Sequence, residues 1–87
     1  MKIQVPSPFN YTTRRDFFTQ ISELPVDSEL ILDFCRVDVL DASALGMLLI
    51  AREKVNGSEK RVSLVNCNTN VKQILEAAQF NTLFRIP

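Results

Sequence analysis

The 87-residue sequence contains no histidine and no tryptophan, and it has only two glycines and two cysteines. Without histidine there is no imidazole to activate a serine or cysteine nucleophile, which disfavours an enzyme. Gly46 and Gly57 cannot build a glycine-rich phosphate loop. Cys35 and Cys67 do not form a C-x-x-C pair, so we expect small core side chains and no metal or redox site. The chain is therefore expected to work without a cofactor.

An excess of charge is also absent, since ten Lys and Arg residues balance ten Asp and Glu residues. A neutral chain has no positive field for nucleic acid or anionic lipid, so neither is an expected partner. The longest apolar run, residues 44–51, is far shorter than the roughly 20 residues that span a bilayer. The first residues also lack a basic-then-apolar signal pattern. We expect a cytoplasmic protein with a single domain over residues 1–87.

Short apolar segments alternate with segments of helical spacing along the chain. Residues 3–5, 30–35, 61–65 and 83–86 are predicted to be β-strands. Residues 30–35 are apolar at odd and even positions, which is typical of a central strand covered on both faces. The resulting order, β-α-β-α-β-α-β, predicts an α/β fold with a mainly parallel sheet and right-handed crossovers.

The predicted helices are recognised by their ends and by their apolar positions. The first follows Thr12 or Thr13 and stops at Pro25, and the third follows Asn68 or Thr69. The first helix is expected to bury Phe17, Phe18, Ile21 and Leu24. The third is expected to bury Val71, Ile74, Leu75 and Ala78. The middle helix runs from residue 44 to about residue 55, and Asn56-Gly57 provides a stop signal after it.

The middle helix carries more apolar residues than one buried face requires. On a helical wheel, its predicted core arc contains Leu45, Leu48, Leu49 and Val55. The opposite stripe contains Ser43, Met47, Ile50 and Lys54. Met47 and Ile50 are therefore either an outward docking stripe or side chains covered by a neighbouring helix. Gly46 costs about 1 kcal/mol in a helix interior relative to Ala, which indicates tight packing on the sheet or room for a partner.

The residues that begin this helix are small, and two of them are polar. Ser43 is interpreted in two ways: as an N-cap, or as an exposed hydroxyl at the head of the outward stripe. Asp41 could cap the same helix end by accepting from its first free N–H groups. The pattern leaves both interpretations open.

These same residues resemble the signature of the STAS domain, found in bacterial anti-sigma-factor antagonists. The family pattern is a strand, then Asp-(Ser/Thr)-Ser-(Gly/Ala)-Leu-Gly, then a helix, and residues 41–46 read Asp-Ala-Ser-Ala-Leu-Gly. Residues 9–12 and 65–86 resemble the turn before the first helix and the C-terminal half of the family. Two positions depart from it: Ala42 replaces a common Ser or Thr, and Asn10 replaces a common Asp.

The resemblance implies a partner-switching protein in the regulation of bacterial transcription. The unphosphorylated form would bind an anti-sigma factor or a similar serine-kinase-type regulator, and phosphorylation of Ser43 would release it. A PP2C-type phosphatase would reverse the modification. The implied partner-binding residues are Asn10, Asp41, Ala42, Ser43, Ala44, Gly46, Met47 and Ile50. The protein is expected to be a monomer or a weak homodimer.

A second hypothesis uses the same fold without a phosphorylation switch. In it, the chain is a STAS regulatory or ligand-binding subunit, associated with a nucleotide or a transporter, and Ser43 is only a cap. Fold alone does not decide between the two functions. They differ because only the first hypothesis requires the Ser43 hydroxyl to be accessible beside an apolar surface.

Overall fold

The computed structural model describes residues 1–25, 29–55 and 61–87. Its main elements, in chain order, are β1 (Lys2–Gln4), α1 (Arg14–Ser22), β2 (Leu30–Asp33), α2 (Ala42–Lys54), β3 (Val62–Val65) and α3 (Thr69–Ala77). Two short 3₁₀ turns, Tyr11–Thr13 and Phe80–Thr82, precede α1 and follow α3. This alternation confirms the predicted α/β fold. The stop signal assigned to Asn56-Gly57 lies outside the described residues.

The strands form one parallel sheet in the order β1-β2-β3, which confirms that β2 is central. The prediction of a fourth strand at residues 83–86 is wrong. It is reduced to a single parallel bridge between Ser63 and Arg85. The bridge has two backbone hydrogen bonds, from Leu64 N to Arg85 O at 2.8 Å and from Arg85 N to Val62 O at 2.9 Å. The 3₁₀ turn ends only one residue before this segment, which leaves little length for pairing.

The two faces of the sheet differ in their side chains. Ile3, Leu32 and Leu64 are in register across the strands and are all buried. The neighbouring row, Lys2, Ile31 and Ser63, lies on the other face, where Ile31 is 37% exposed. The prediction that the central strand is covered on both faces is therefore wrong. Both crossovers run in the same direction, so right-handed connections place α1 and α2 on one face of the sheet.

The core between the sheet and the helices is built around aromatic side chains. Phe9 contacts Phe17 and Phe34 edge-to-face, with ring centroids 5.0 and 5.9 Å apart. All three rings are almost completely buried. Burial of one such side chain stabilises the fold by roughly 2–3 kcal/mol relative to leaving it in water. This cluster fixes α1 against β2 and therefore fixes the start of the connection that leads to α2.

Several predicted ends and burial states differ in detail from the structure. Neither Thr12 nor Thr13 caps α1 with its side chain; instead, Asn10 caps the 3₁₀ turn that precedes α1. Asn68 does cap α3, as predicted. Ala78 is exposed and not buried, because α3 ends at Ala77 and the next residues leave its apolar face.

The two cysteines are less buried than predicted. Cys35 is exposed, because β2 ends at Asp33 and Cys35 lies in the turn that follows. Cys67 is half-buried, and burial raises the pKa of its thiol. Of the helices within the described ranges, none has both the length and the apolar character needed to cross a membrane.

Candidate functional site

The N-terminus of α2 is capped by Asp41. Its carboxylate oxygen Oδ1 accepts a hydrogen bond from Ala44 N at 2.8 Å, and its carbonyl accepts from Leu45 N at 3.2 Å. Asp41 has extended backbone geometry, as an N-cap residue should. Of the two capping residues considered from the sequence, Asp41 performs the role and Ser43 does not.

Ser43 lies in the first turn of the helix and is hydrogen-bonded to the cap. Its Oγ donates to the same Asp41 Oδ1 at 2.7 Å, and the residue is half-exposed at the surface. Hydrogen bonds from the Ser43 hydroxyl and from Ala44 N lower the pKa of Asp41 below its usual range. At neutral pH the serine hydroxyl is therefore oriented by an ionised carboxylate.

The buried and exposed faces of α2 differ from the predicted ones. The buried face consists of Ala44, Met47, Leu48, Ala51 and Val55. The exposed face contains Ala42, Leu49, Ile50, Glu53 and Lys54, with half-exposed Ser43, Leu45 and Gly46 beside it. Ile50 is 45% exposed, as the outward stripe predicted.

Met47 follows the second of its two predicted alternatives, a covered side chain, and the prediction of Leu49 as a core residue is wrong. Met47 is 5% exposed and belongs to the core, whereas Leu49 is 39% exposed. Ala44, a predicted partner-binding residue, is also completely buried. The first ten residues of α2 are small or apolar on every side, so packing against the rest of the core, α1 included, decides which side chains are covered.

Gly46 has free space beside its Cα. A methyl group added at its Cα would meet no neighbouring atom within 4 Å. The interpretation of Gly46 as a residue needed for tight packing on the sheet is therefore wrong. The absence of a side chain instead leaves the backbone of α2 accessible on its exposed face.

Asn10 lies in a separate feature, ahead of α1. Its Oδ1 accepts hydrogen bonds from Thr12 N at 2.9 Å and from Thr12 Oγ1, and its own N–H donates to Thr13 Oγ1 at 3.2 Å. These bonds form a capping box for the 3₁₀ turn. Within the described ranges, no hydrogen bond links Asn10 to Asp41 or Ser43, so the structure does not connect these predicted site residues directly.

The connection from β2 to α2 is held by asparagine side chains that follow β3. Asn66 Nδ2 donates to Asp33 Oδ1 at 3.0 Å. Asn68 Nδ2 donates to the carbonyls of Val37 and Asp38, each at 3.3 Å, and Asn70 Nδ2 donates to the Asp38 carbonyl at 3.2 Å. The connection that leads to Asp41 is therefore anchored at its middle, at residues 37 and 38, and at the end of the strand that precedes it.

Sequence reasoning missed this role of the asparagines. Their spacing, every second residue in the stretch Asn66-Cys67-Asn68-Thr69-Asn70, was the available signal. Asp33 is the buried end of the network, and bonds from Asn66 Nδ2 and Cys35 N lower the pKa of its carboxyl group. Lys2 Nζ approaches the other oxygen of Asp33 at 3.6 Å.

Other candidate sites are limited. A cavity of about 230 Å³ lies between β1 and α1, lined by Met1, Lys2, Ile3, Gln20, Glu23 and Leu24. None of the predicted site residues lines it. In the part of the chain that the structure describes, no group of three or more His, Cys, Asp or Glu side chains could hold a metal ion.

Comparisons with known proteins agree on one family. Residues 1–87 match the model of the STAS domain family. The chain is also 32% identical over 87 residues to a STAS-domain containing protein of Pseudomonas aeruginosa (strain UCBPP-PA14), covering 99% of this chain and 86% of that protein. Both matches extend over the whole region that contains the Asp41–Ser43 pair and the exposed face of α2.

Proposed function

Since the chain belongs to the STAS domain family, we propose that it is an anti-sigma-factor antagonist whose binding to its partner is controlled by phosphorylation of Ser43. STAS domain proteins are generally non-enzymatic regulators, and the family match supports a role in protein–protein interaction. The finer proposal adds a partner, an anti-sigma factor with serine kinase activity, and a PP2C-type phosphatase. We place this exchange in the bacterial cytoplasm, with the chain as a monomer or a weak homodimer.

One observation carries the proposal: the Ser43 hydroxyl is half-exposed and bonded to Asp41 Oδ1 at 2.7 Å, at the end of an apolar exposed surface. We name this surface the docking face and define it as Ala42, Ser43, Gly46, Leu49 and Ile50. Exposed Asp41 precedes it, and exposed Glu53 and Lys54 follow it in the last turn of α2. A partner can bury Leu49 and Ile50 at roughly 25 cal/mol per Å² of apolar area, and Gly46 lets it approach the helix backbone.

Phosphorylation changes the charge of this surface. Ser43 Oγ attacks the γ-phosphorus of a nucleoside triphosphate held by the kinase; the bond from that phosphorus to the diphosphate breaks, and the hydroxyl proton is released. The product carries about −1.5 to −2 charges at neutral pH. The positive end of a 13-residue helix can accommodate them, so we expect the domain to stay folded.

The same charge opposes binding of the partner. The phosphate would stand on the Oγ that now lies 2.7 Å from the Asp41 carboxylate, so a partner would have to cover two neighbouring negative groups instead of one. A partner that covers the docking face would also have to remove water from a dianion beside Leu49 and Ile50. A loss of about 3–5 kcal/mol is enough to turn a mostly bound population into a mostly free one.

The experiment is affinity capture from the source cells with the wild type, Ser43→Ala and Ser43→Asp, followed by identification of the captured proteins and intact-mass measurement of the bait. We expect the wild type and Ser43→Ala to recover a protein with anti-sigma or serine kinase character, and Ser43→Asp to recover little of it. We also expect the wild-type molecules that are not bound to the partner to carry the added mass of one phosphate. Equal recovery by Ser43→Ala and Ser43→Asp contradicts the switch.

A matched pair of variants tests the docking face separately. Ile50→Lys places a charge on the exposed face of α2, and Gln73→Lys places the same charge on an exposed position of α3. Only Ile50→Lys should lose the partner. If neither variant changes recovery while a nucleotide raises the melting temperature in proportion to its concentration, the ligand-binding alternative replaces the proposal.

A further inference from the structure

The three asparagines that follow β3 lie at alternate positions, and each donates its side-chain amide to the end of β2 or to the connection between β2 and α2. We name Asn66, Asn68 and Asn70 the asparagine strap. Asn66 bonds to the carboxylate of Asp33, the last residue of β2, and Asn68 and Asn70 bond to the Val37 and Asp38 carbonyls in the connection. The strap therefore contacts the segment that leads to the cap residue Asp41.

Asn68 has two roles within the strap. Its Oδ1 accepts from Val71 N at 2.7 Å and caps α3, while its Nδ2 donates to both carbonyls of the connection at 3.3 Å. One side chain thus links the start of α3 to the segment that precedes α2. The buried side chains of Val37 and Leu40 hold the same segment from the core side.

From this geometry we infer that Asn68 is a positioning residue for the docking face: its amide fixes the connection that places Asp41 and Ser43 at the head of α2. The inference rests on the proposed function, because it concerns the same surface. It adds that α3, which contributes no residue to the docking face, controls the geometry of that face through hydrogen bonds to residues 37 and 38.

Asn68→Ser separates the two roles of this side chain. A serine hydroxyl still caps α3, but it is too short to reach the Val37 and Asp38 carbonyls. Hydrogen exchange of the full chain is followed by NMR at Val37 N, Ala44 N and Leu45 N, which are hydrogen-bonded in the connection and in the first turn of α2. Phe34 N and Leu64 N, bonded within the sheet region, serve as internal references.

In Asn68→Ser, we expect hydrogen exchange at the three reporter amides to accelerate about threefold to tenfold, because losing one or two exposed hydrogen bonds typically reduces protection by this factor. Exchange at the reference amides should not change. Asn81→Ser, the same replacement at an exposed position outside the strap, should change neither set. Unchanged reporter amides would overturn the inference, and so would equal acceleration of reporter and reference amides, because that indicates general destabilisation.

A binding measurement then extends the test to the partner recovered by the wild type. Asn68→Ser should bind it more weakly than the wild type, whereas Asn81→Ser should bind it equally. Full affinity in Asn68→Ser, with accelerated exchange, would overturn the link to the docking face. If the wild type recovers no partner, the proposed function fails, and the exchange result still decides whether Asn68 positions the connection.

Discussion

Helices α2 and α3 begin in the same way but present different chemistry. Each has an N-cap side-chain oxygen that accepts from the third helical N–H, Asp41 from Ala44 N at 2.8 Å and Asn68 from Val71 N at 2.7 Å. The cap of α2 is a carboxylate whose second bond is to the half-exposed Ser43 hydroxyl. The cap of α3, Asn68, donates hydrogen bonds from its amide nitrogen to the backbone carbonyls of Val37 and Asp38. The cap of α2 therefore holds a partly exposed serine hydroxyl, whereas the cap of α3 holds the connection between β2 and α2.

The exposed faces of α2 and α3 also differ in the polarity of their side chains. The exposed residues of α3 include Gln73 and Glu76, as expected of a solvated helix that buries only Val71 and Leu75. The exposed residues of α2 include Leu49 and Ile50. The outward side of α2 also exposes Glu53 and Lys54, but α3 exposes no large apolar side chain, so the exposed pair of Leu49 and Ile50 is the feature of α2 that favours contact with another molecule.

The largest expected effect separates the two faces of α2. Leu48→Ala removes a completely buried side chain and should lower the free energy of unfolding by about 3 kcal/mol. Leu49→Ala, the same replacement one position later, should lower it by about 1 kcal/mol at most, because Leu49 is already 39% exposed. Urea unfolding at equilibrium measures both. Similar losses in the two variants would mean that the faces are assigned incorrectly.

The next effect concerns the cap of α3. Asn68→Ala removes the cap and both bonds to the connection, so the free energy of unfolding should fall by about 1 kcal/mol or slightly more. Asn68→Ser retains the cap, so its free energy of unfolding should fall clearly less in the same urea experiment. Equal losses in the two variants would show that the serine hydroxyl does not replace the cap.

A gain in stability is expected at Gly46. The residue lies inside a helix, and an added methyl group would have no atom within 4 Å, so Gly46→Ala should raise the free energy of unfolding by roughly 0.5–1 kcal/mol. Thermal unfolding followed by circular dichroism would measure the gain. The methyl group stands on the docking face, so this more stable variant should bind the partner more weakly. Unchanged affinity would show that the partner does not approach the backbone at Gly46.

The smallest expected difference is one of pH dependence between the two caps. Folding lowers the pKa of Asp41, so its ionised carboxylate stabilises the folded chain. This stabilisation is complete above the unfolded-state pKa, near 4, and is lost as the pH falls through the lower folded-state pKa. Asp41→Asn should therefore flatten part of the loss of stability in acid, measured by urea unfolding at several pH values. The pKa of Asp33 is also lowered, so some acid sensitivity remains. The amide cap Asn68 has no such dependence.

The elements of the fold were predictable because their signals are local. Residues 30–32 form a short apolar segment, and with Asp33 they make up the central strand. Asn68 precedes an amphipathic segment and caps α3. The rotation of α2 was not predictable in this way. Met47 and Leu49 are both apolar, and only packing against the rest of the chain decides which one is buried.

The candidate site was predicted in part for the same reason. The position of Asp41 and Ser43 at a helix start follows from the local pattern, although their mutual hydrogen bond depends on side-chain orientation, which the pattern does not specify. The bonds from Asn68 and Asn70 join residues about 30 positions apart, and no local rule connects them. The covered side of the sheet likewise depends on the direction of the crossovers, which left Ile31 exposed.

The most direct test compares the affinity of one partner for two forms of this chain that differ only at Ser43 Oγ. Protein with phosphoserine incorporated at position 43 and unmodified protein would be titrated by calorimetry into the anti-sigma protein recovered by capture. We expect both forms to show the same far-ultraviolet circular dichroism, and the phosphorylated form to bind at least about 100-fold more weakly, which corresponds to roughly 2.7 kcal/mol. Equal affinity of the two folded forms would contradict a switch at Ser43.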